Sequence, residues 1–185
     1  AKAGAPPLLL EEKEISRGAS GANFGNVQVQ DASMGQSYAL TLAGFARMKT
    51  MTAELGCDIG YQSYPSLIAA ESEAHLPELE RLFQEKKEAG LDVRWLEGSA
   101  LQEAEPNLAP GSVLAASYFE QGRVYPFHYQ YALVRQGRRY GLEVREFSTV
   151  SSLLVEGGVC TGVMLADGAT VRAEHVIVAS GAGTR

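Results

Sequence analysis

The feature that most constrains this chain stands near its start. Leu8-Leu9-Leu10 runs directly into Glu11-Glu12, and Ser16 to Asn26 (SRGASGANFGN) then follows, rich in Gly, Ser, Ala and Asn. A short unbroken apolar run bounded by turn residues reads as a strand buried on both faces, as in a parallel sheet. The glutamates mark where it emerges. In a dinucleotide-binding βαβ unit the second strand ends in an acid that accepts hydrogen bonds from ribose hydroxyls. That acid lies about 20 residues after a G-x-G-x-x-G turn. Nothing in Ala1 to Pro7 supplies that first strand, turn and helix. Taken alone, therefore, the pattern also describes any strand that meets solvent.

Downstream the hydrophobic period changes. Met34, Tyr38, Leu42, Phe45, Met48, Thr52 and Leu55 fall at helical steps, and Gly56 ends that helix. Ile59 to Ala70 reads as strand or hairpin, His75 to Ala89 as an amphipathic helix closed by Gly90, and Asp92 to Leu96 as a strand. Ser99 to Glu105 reads as a short helix capped by Ser99 and stopped by Pro106. Val113 to Phe119 is a further strand, followed by a turn at Gln121-Gly122 and a helix from Phe127 to Tyr140. The remainder is β-rich: 142–147, 150–155, 159–165, 170–173 and 176–178. Gly157-Gly158 and Asp167-Gly168 are hairpin signals among these strands.

Composition narrows the function classes. A formal charge of −6 with scattered Lys and Arg argues against nucleic acid. Arg135, Arg138 and Arg139 read as a solvated helix face. Cys57 and Cys160 stand in different contexts and read as reduced, buried thiols, not a disulfide framework. His75, His128 and His175 have no Cys or second His nearby, so no metal site is expected. No run approaches the roughly 20 apolar residues of a membrane span. No signal peptide is legible at the start, and a cytoplasmic location is expected.

Three stretches together resemble one family. Gly18, Ala19, Ser20, Ala22, Asn23 and Gly25 stand at the positions of a G-A-S-x-A-N-x-G flavin loop. Gly122, Val124 and Pro126, then a helix and Gly141-Leu142-Glu143-Val144, are similar to a D-G-x-V-D-P turn, helix and G-V-x-V strand. Gln121 and Tyr125 here replace the usual acids. Val150, Gly157 to Val163, Asp167-Gly168 and His175 to Thr184 are similar to a β-meander and a closing strand. All three belong to the D-amino-acid oxidase-like FAD-dependent oxidoreductases, which include glycine and sarcosine oxidases, D-amino-acid dehydrogenases and hydrogen cyanide synthases.

The resemblance implies an α/β plus α+β fold: an incomplete, Rossmann-like FAD-binding domain with an inserted substrate-type module. The expected division is 1–56 and 126–185 for the FAD-binding part and 57–125 for the module. It implies FAD contacts from Glu11, Ser20, Asn23, Gly25, Asn26, Val150 and Gly181, with Glu11 rather than Glu12 at the ribose. No catalytic residue is assigned. His128 is expected to pack on its helix, and Tyr61 and Tyr64 are expected to be structural parts of the module. The implied reaction takes a hydride from the carbon beside the nitrogen of an amino acid or secondary amine, and the imine then hydrolyses. FAD is expected in a complete protein and not tightly held by this chain alone, which is expected to be inactive. The alternative is a non-catalytic chain that folds by pairing with a second chain or in a homo-oligomer. A nicotinamide-dependent dehydrogenase fits the acid but not the loop or the meander.

Overall fold

The computed structural model describes Gly4 and residues 6–184, so expectations for 1–3 and 5 lie outside the described residues. The chain separates into two compact units. One combines the residues up to Phe24 with those from Pro126 onward, and the other is Gly25–Tyr125.

The Gly25–Tyr125 unit is built on one strand. Strand β2 (Asn26–Val27) opens it, followed by helix α1 (Gln36–Leu55), strand β3 (Gln62–Ala70), helix α2 (Leu76–Glu88), strand β4 (Arg94–Glu97), helix α3 (Gly98–Ala104) and strand β5 (Ala115–Arg123). The sheet is antiparallel in the order β2-β5-β3, with β4 also paired to β5. β3 follows β5 along its whole length, from Gln62 opposite Arg123 to Ala70 opposite Ala115. Small residues at Ala115, Ala116 and Ser117, all buried, let neighbours approach both faces of β5.

Alternation along β5 divides the core. Phe119 points with Val29, Tyr38, Phe45, Phe83, Leu91 and Val93 into one cluster. There Phe45 of α1 meets Phe119 at 5.7 Å between ring centroids, and Phe83 of α2 meets Trp95 edge-on at 5.4 Å. Ala116 and Tyr118 point the other way, against Leu96 and Leu101. The phenyl contact ties α1 to β5 within the Gly25–Tyr125 unit. Gly56 caps α1 in the left-handed conformation, as its sequence position indicates.

Three long polar side chains are buried in this core with hydrogen-bond partners. Gln121, 1% exposed, accepts the Val29 backbone N–H through Oε1 at 2.6 Å. Gln30, also 1% exposed, donates through Nε2 to the Ser66 carbonyl and hydroxyl, both at 3.1 Å. Its Oε1 accepts from Ser117 Oγ at 3.3 Å. Lys86 of α2 is 2% exposed, donates to the Ala32 carbonyl and lies 4.6 Å above the Tyr38 ring. Desolvation holds its pKa below the ordinary lysine value, against the attraction of Glu85 and Asp31.

Three local expectations are corrected here. Gln121-Gly122 is not a turn but part of β5. Gly122 is required by close packing, because a Cβ there would meet the Tyr61 ring at 2.8 Å. Ser99 does not cap α3: the helix begins at Gly98, Glu97 holds the cap position, and no side chain bonds there. The brief strand expected at 27–30 shrinks to Asn26–Val27, because Val29 and Gln30 turn into the core and leave the ladder.

The other unit holds a parallel pair and a meander. β1 (Leu8–Leu10) pairs with β6 (Glu143–Arg145), Leu9 opposite Val144. Helix α4 (Pro126–Arg139) precedes β6 and starts on proline, whose fixed φ and missing N–H suit a first helical turn. Arg135, Arg138 and Arg139 are exposed on it, as expected. β7 (Val150–Glu156), β8 (Val159–Leu165) and β9 (Thr170–Arg172) form a three-stranded antiparallel meander. Gly157 and Gly158 both take positive φ in its first turn. Residues 176–178 are not a strand: none of the described residues pairs with them, and Ile177 is 90% exposed. Cys57 and Cys160 are free thiols and half-buried, not fully buried. Among the described residues no helix is long and apolar enough to cross a membrane, and no metal-binding cluster occurs.

Two outcomes follow from the buried polar groups. Gln121→Ala leaves the Val29 N–H without its acceptor and is expected to cost roughly 1–3 kcal/mol, read as a lower urea midpoint; an unchanged midpoint contradicts the assigned bond. For Lys86 the folded pKa is depressed, so above it the native state sheds a proton that the unfolded chain still holds. Stability therefore rises with pH from the folded value towards 10.5. Unfolding free energies measured from neutral pH into this range should show the wild type gaining on Lys86→Met; parallel curves would rule out the buried charge.

Candidate functional site

The carboxyl ends of parallel strands are where open α/β sheets bind ligands. Glu11 stands at such an end, directly after β1, and is half-buried. Its backbone extends the pairing: Glu11 N donates to Arg145 O at 3.0 Å and Glu11 O accepts from Ser148 N at 2.8 Å. Its Oε1 accepts from Lys13 N at 2.9 Å, and no described residue engages Oε2. The neighbouring Glu12 is exposed. Ser148, which makes that bond to Glu11 O, lies two residues before β7, where Val150 sits opposite Leu165. Val150 is 42% exposed.

The Ser16–Asn23 loop is a tight, internally bonded turn. Gly21 N and Ala22 N both donate to Gly18 O, at 3.0 and 3.2 Å. Asn23 Nδ2 donates to Ala19 O at 3.0 Å and to Ser20 O at 2.7 Å, so this side chain shapes the loop from within. Ser16, 9% exposed, adopts φ 73°, a left-handed conformation unusual for a residue with a Cβ. Its hydroxyl donates to Gln130 Oε1 at 2.9 Å, and Gln130 Nε2 donates to Ser20 O. At Gly21 any Cβ would collide with the Ser16 carbonyl and lie 3.1 Å from the Phe127 ring, so glycine alone fits. Gly18, Ala19 and Ser20 are exposed, and their N–H groups donate to no described acceptor. Consecutive unpaired amides beside small side chains suit an anionic group that must approach the backbone.

The remaining expected site residues divide between the units. Gly181, with φ 57°, heads a one-turn 3-10 segment (Gly181–Gly183) and is exposed. Gly25 and Asn26 belong to the other unit. There Gly25 O accepts from Val124 N at 2.9 Å, and Asn26 Oδ1 accepts from Tyr64 Oη at 2.9 Å. Tyr61 packs on Gly122 with its hydroxyl buried and without a hydrogen bond, and burial raises its pKa. His128 lies on α4 and is exposed. Gln130, Ser16 and Glu146, which accepts from Ile15 N at 2.7 Å, were not singled out in the sequence. Gln130 lies 114 residues from Ser16, so no local signal could have linked them.

A strand-end carboxylate and a glycine-dependent loop with three unpaired amides thus lie within one unit. The chain belongs to the FAD dependent oxidoreductase (DAO) family, whose model matches residues 1–185. It is 31% identical over 189 residues to a glycine oxidase of Bacillus licheniformis, covering 98% of this chain and 49% of that protein. It is 26% identical over 187 residues to the 4-methylaminobutanoate oxidase (formaldehyde-forming) of Paenarthrobacter nicotinovorans, covering 96% of this chain and 22% of that one. Its backbone superposes on the crystal structure of glycine oxidase from Geobacillus kaustophilus with a TM-score of 0.84 at 27% identity, covering 95% of this chain and 48% of that one. The chain thus spans less than half the length of these relatives.

Gly21→Ala should open the loop. Trypsin cleavage after Arg17 is expected to become several-fold faster in this variant while the meander stays protected; unchanged cleavage would mean that the loop tolerates a side chain at this position.

Proposed function

We propose that this chain supplies the FAD-binding part, and an associated substrate-side sheet, of an oxidoreductase acting on an amino acid or secondary amine. The observation that carries the reading is Glu11: a half-buried carboxylate with one uncommitted oxygen at the end of a parallel strand, five residues before a loop with three unpaired amides. The residues present fit FAD. Glu11 would accept from the ribose hydroxyls, the amides of 18–20 would meet the pyrophosphate, and Val150 and Gly181 would contribute backbone contacts. Within the Gly25–Tyr125 unit, Gly25 and Asn26 would contribute where the chain enters β2, and its antiparallel sheet would form the substrate side.

FAD, when bound, supplies the electron acceptor for oxidising a carbon–nitrogen bond. The chain's own residues would bind and orient it. The names of the similar proteins favour glycine-like or N-methylated amino-acid substrates over other amines.

Glu11→Ala is expected to weaken FAD binding by about 10- to 100-fold, since a hydrogen bond to a charged group contributes roughly 1.5–3 kcal/mol. Glu12→Ala should change it by less than about twofold. Fluorescence titration of the full-length polypeptide encoded at this locus tests both, and equal affinity of Glu11→Ala and wild type rejects the assignment.

A further inference from the structure

We propose that Gln130 is a positioning residue for the dinucleotide, acting as a two-point clasp on the Ser16–Asn23 loop. The inference rests on the reading that this loop lies against FAD. Gln130 is half-buried in the first turns of α4. Its amide uses both ends: Oε1 accepts from Ser16 Oγ at 2.9 Å, and Nε2 donates to Ser20 O. These two points bracket the segment whose N–H groups at Gly18, Ala19 and Ser20 stay unpaired. Within the loop, turn bonds and the Asn23 amide set its shape. Glu146 holds the chain just ahead of the loop, accepting from Ile15 N at 2.7 Å.

Three features make the clasp specific to an amide. Ser16 sits at φ 73°, which costs energy for a residue with a Cβ and persists only where surroundings hold it. The bond from its hydroxyl to Gln130 supplies that hold. An amide offers a donor and an acceptor at once, and the two loop ends demand one of each. An amide is also neutral: a carboxylate at the same place would still accept from Ser16 but would repel the Ser20 carbonyl and add negative charge beside amides suited to phosphate. Holding the loop before the ligand arrives removes an ordering cost from binding.

The test compares wild type, Gln130→Leu, Gln130→Glu and Ser16→Ala in the full-length polypeptide. Two readouts are used: hydrogen exchange of the 14–26 segment without FAD, and FAD affinity by fluorescence at low and high salt. Gln130→Leu is expected to raise exchange of this segment several-fold and to weaken FAD by about tenfold, the scale of one hydrogen bond. Gln130→Glu should weaken FAD more at low salt than at high salt, since salt screens the added charge. Ser16→Ala removes one contact without touching α4, so a matching smaller effect excludes a general folding defect in the helix variants. Unchanged exchange in Gln130→Leu overturns the clasp. Raised exchange with unchanged FAD affinity overturns its role in positioning. Absence of FAD binding by the wild type overturns this proposal through the reading it rests on, and the exchange data then still report whether the clasp itself exists.

Discussion

Strands β2, β3 and β4 hydrogen-bond to β5 and, among the described residues, to no other strand. The Gly25–Tyr125 unit therefore hangs on a single nine-residue segment, Ala115–Arg123. Its composition answers both demands placed on a central strand. Ala115, Ala116 and Ser117 leave room where β3 and β4 flank it, while Tyr118 and Phe119 reach out to opposite core clusters. At its far end Gln121 turns a side-chain oxygen into a backbone partner for Val29. Without that bond a buried N–H would lie in an apolar core, where an unpaired polar group is costly. The strand thus also sets the path by which the chain enters α1.

Buried polarity in this unit is concentrated, not scattered. Gln30, Ser66, Ser117 and Gln121 share one face, and Lys86 caps the Ala32 carbonyl nearby in sequence. Such groups contribute little net stability but discriminate strongly against alternative packings, because any shift leaves several of them unsatisfied. In this chain the device fixes the segment from Val29 to Met34, which has no regular secondary structure of its own.

What was legible in the sequence was what is decided locally. Leu8–Leu10, the end of α1 at Gly56, the proline start of α4 and the two glycine turns of the meander each depend on a few adjacent residues. What was not legible depends on distant partners. Gln121-Gly122 has turn composition, yet pairing with Ser63 and Tyr64 keeps it extended. The apolar run 176–178 has strand composition, yet no neighbouring strand defines it. Val27 has the same composition as its neighbours in 27–30, but only Asn26 and Val27 find a partner, on β5. Among the site residues, Glu11 was visible through its place after an apolar triplet. Gln130 was invisible, because nothing about a glutamine on an amphipathic helix announces which loop it will hold.

The separation of 114 residues between Ser16 and Gln130 also has a meaning in time. During synthesis the glycine-rich segment leaves the ribosome early, while α4 emerges only after the whole of Gly25–Tyr125 has been made. That intervening unit finds all its strand partners within its own stretch of chain and can fold as it appears. The β1–β6 pairing and the amide clasp must wait for the return of the chain. Until then the segment lacks the hold of Gln130 and has its internal turns alone to shape it. Its ordering therefore waits on the closure of a long loop, a step that costs more entropy than the local pairings of the intervening unit.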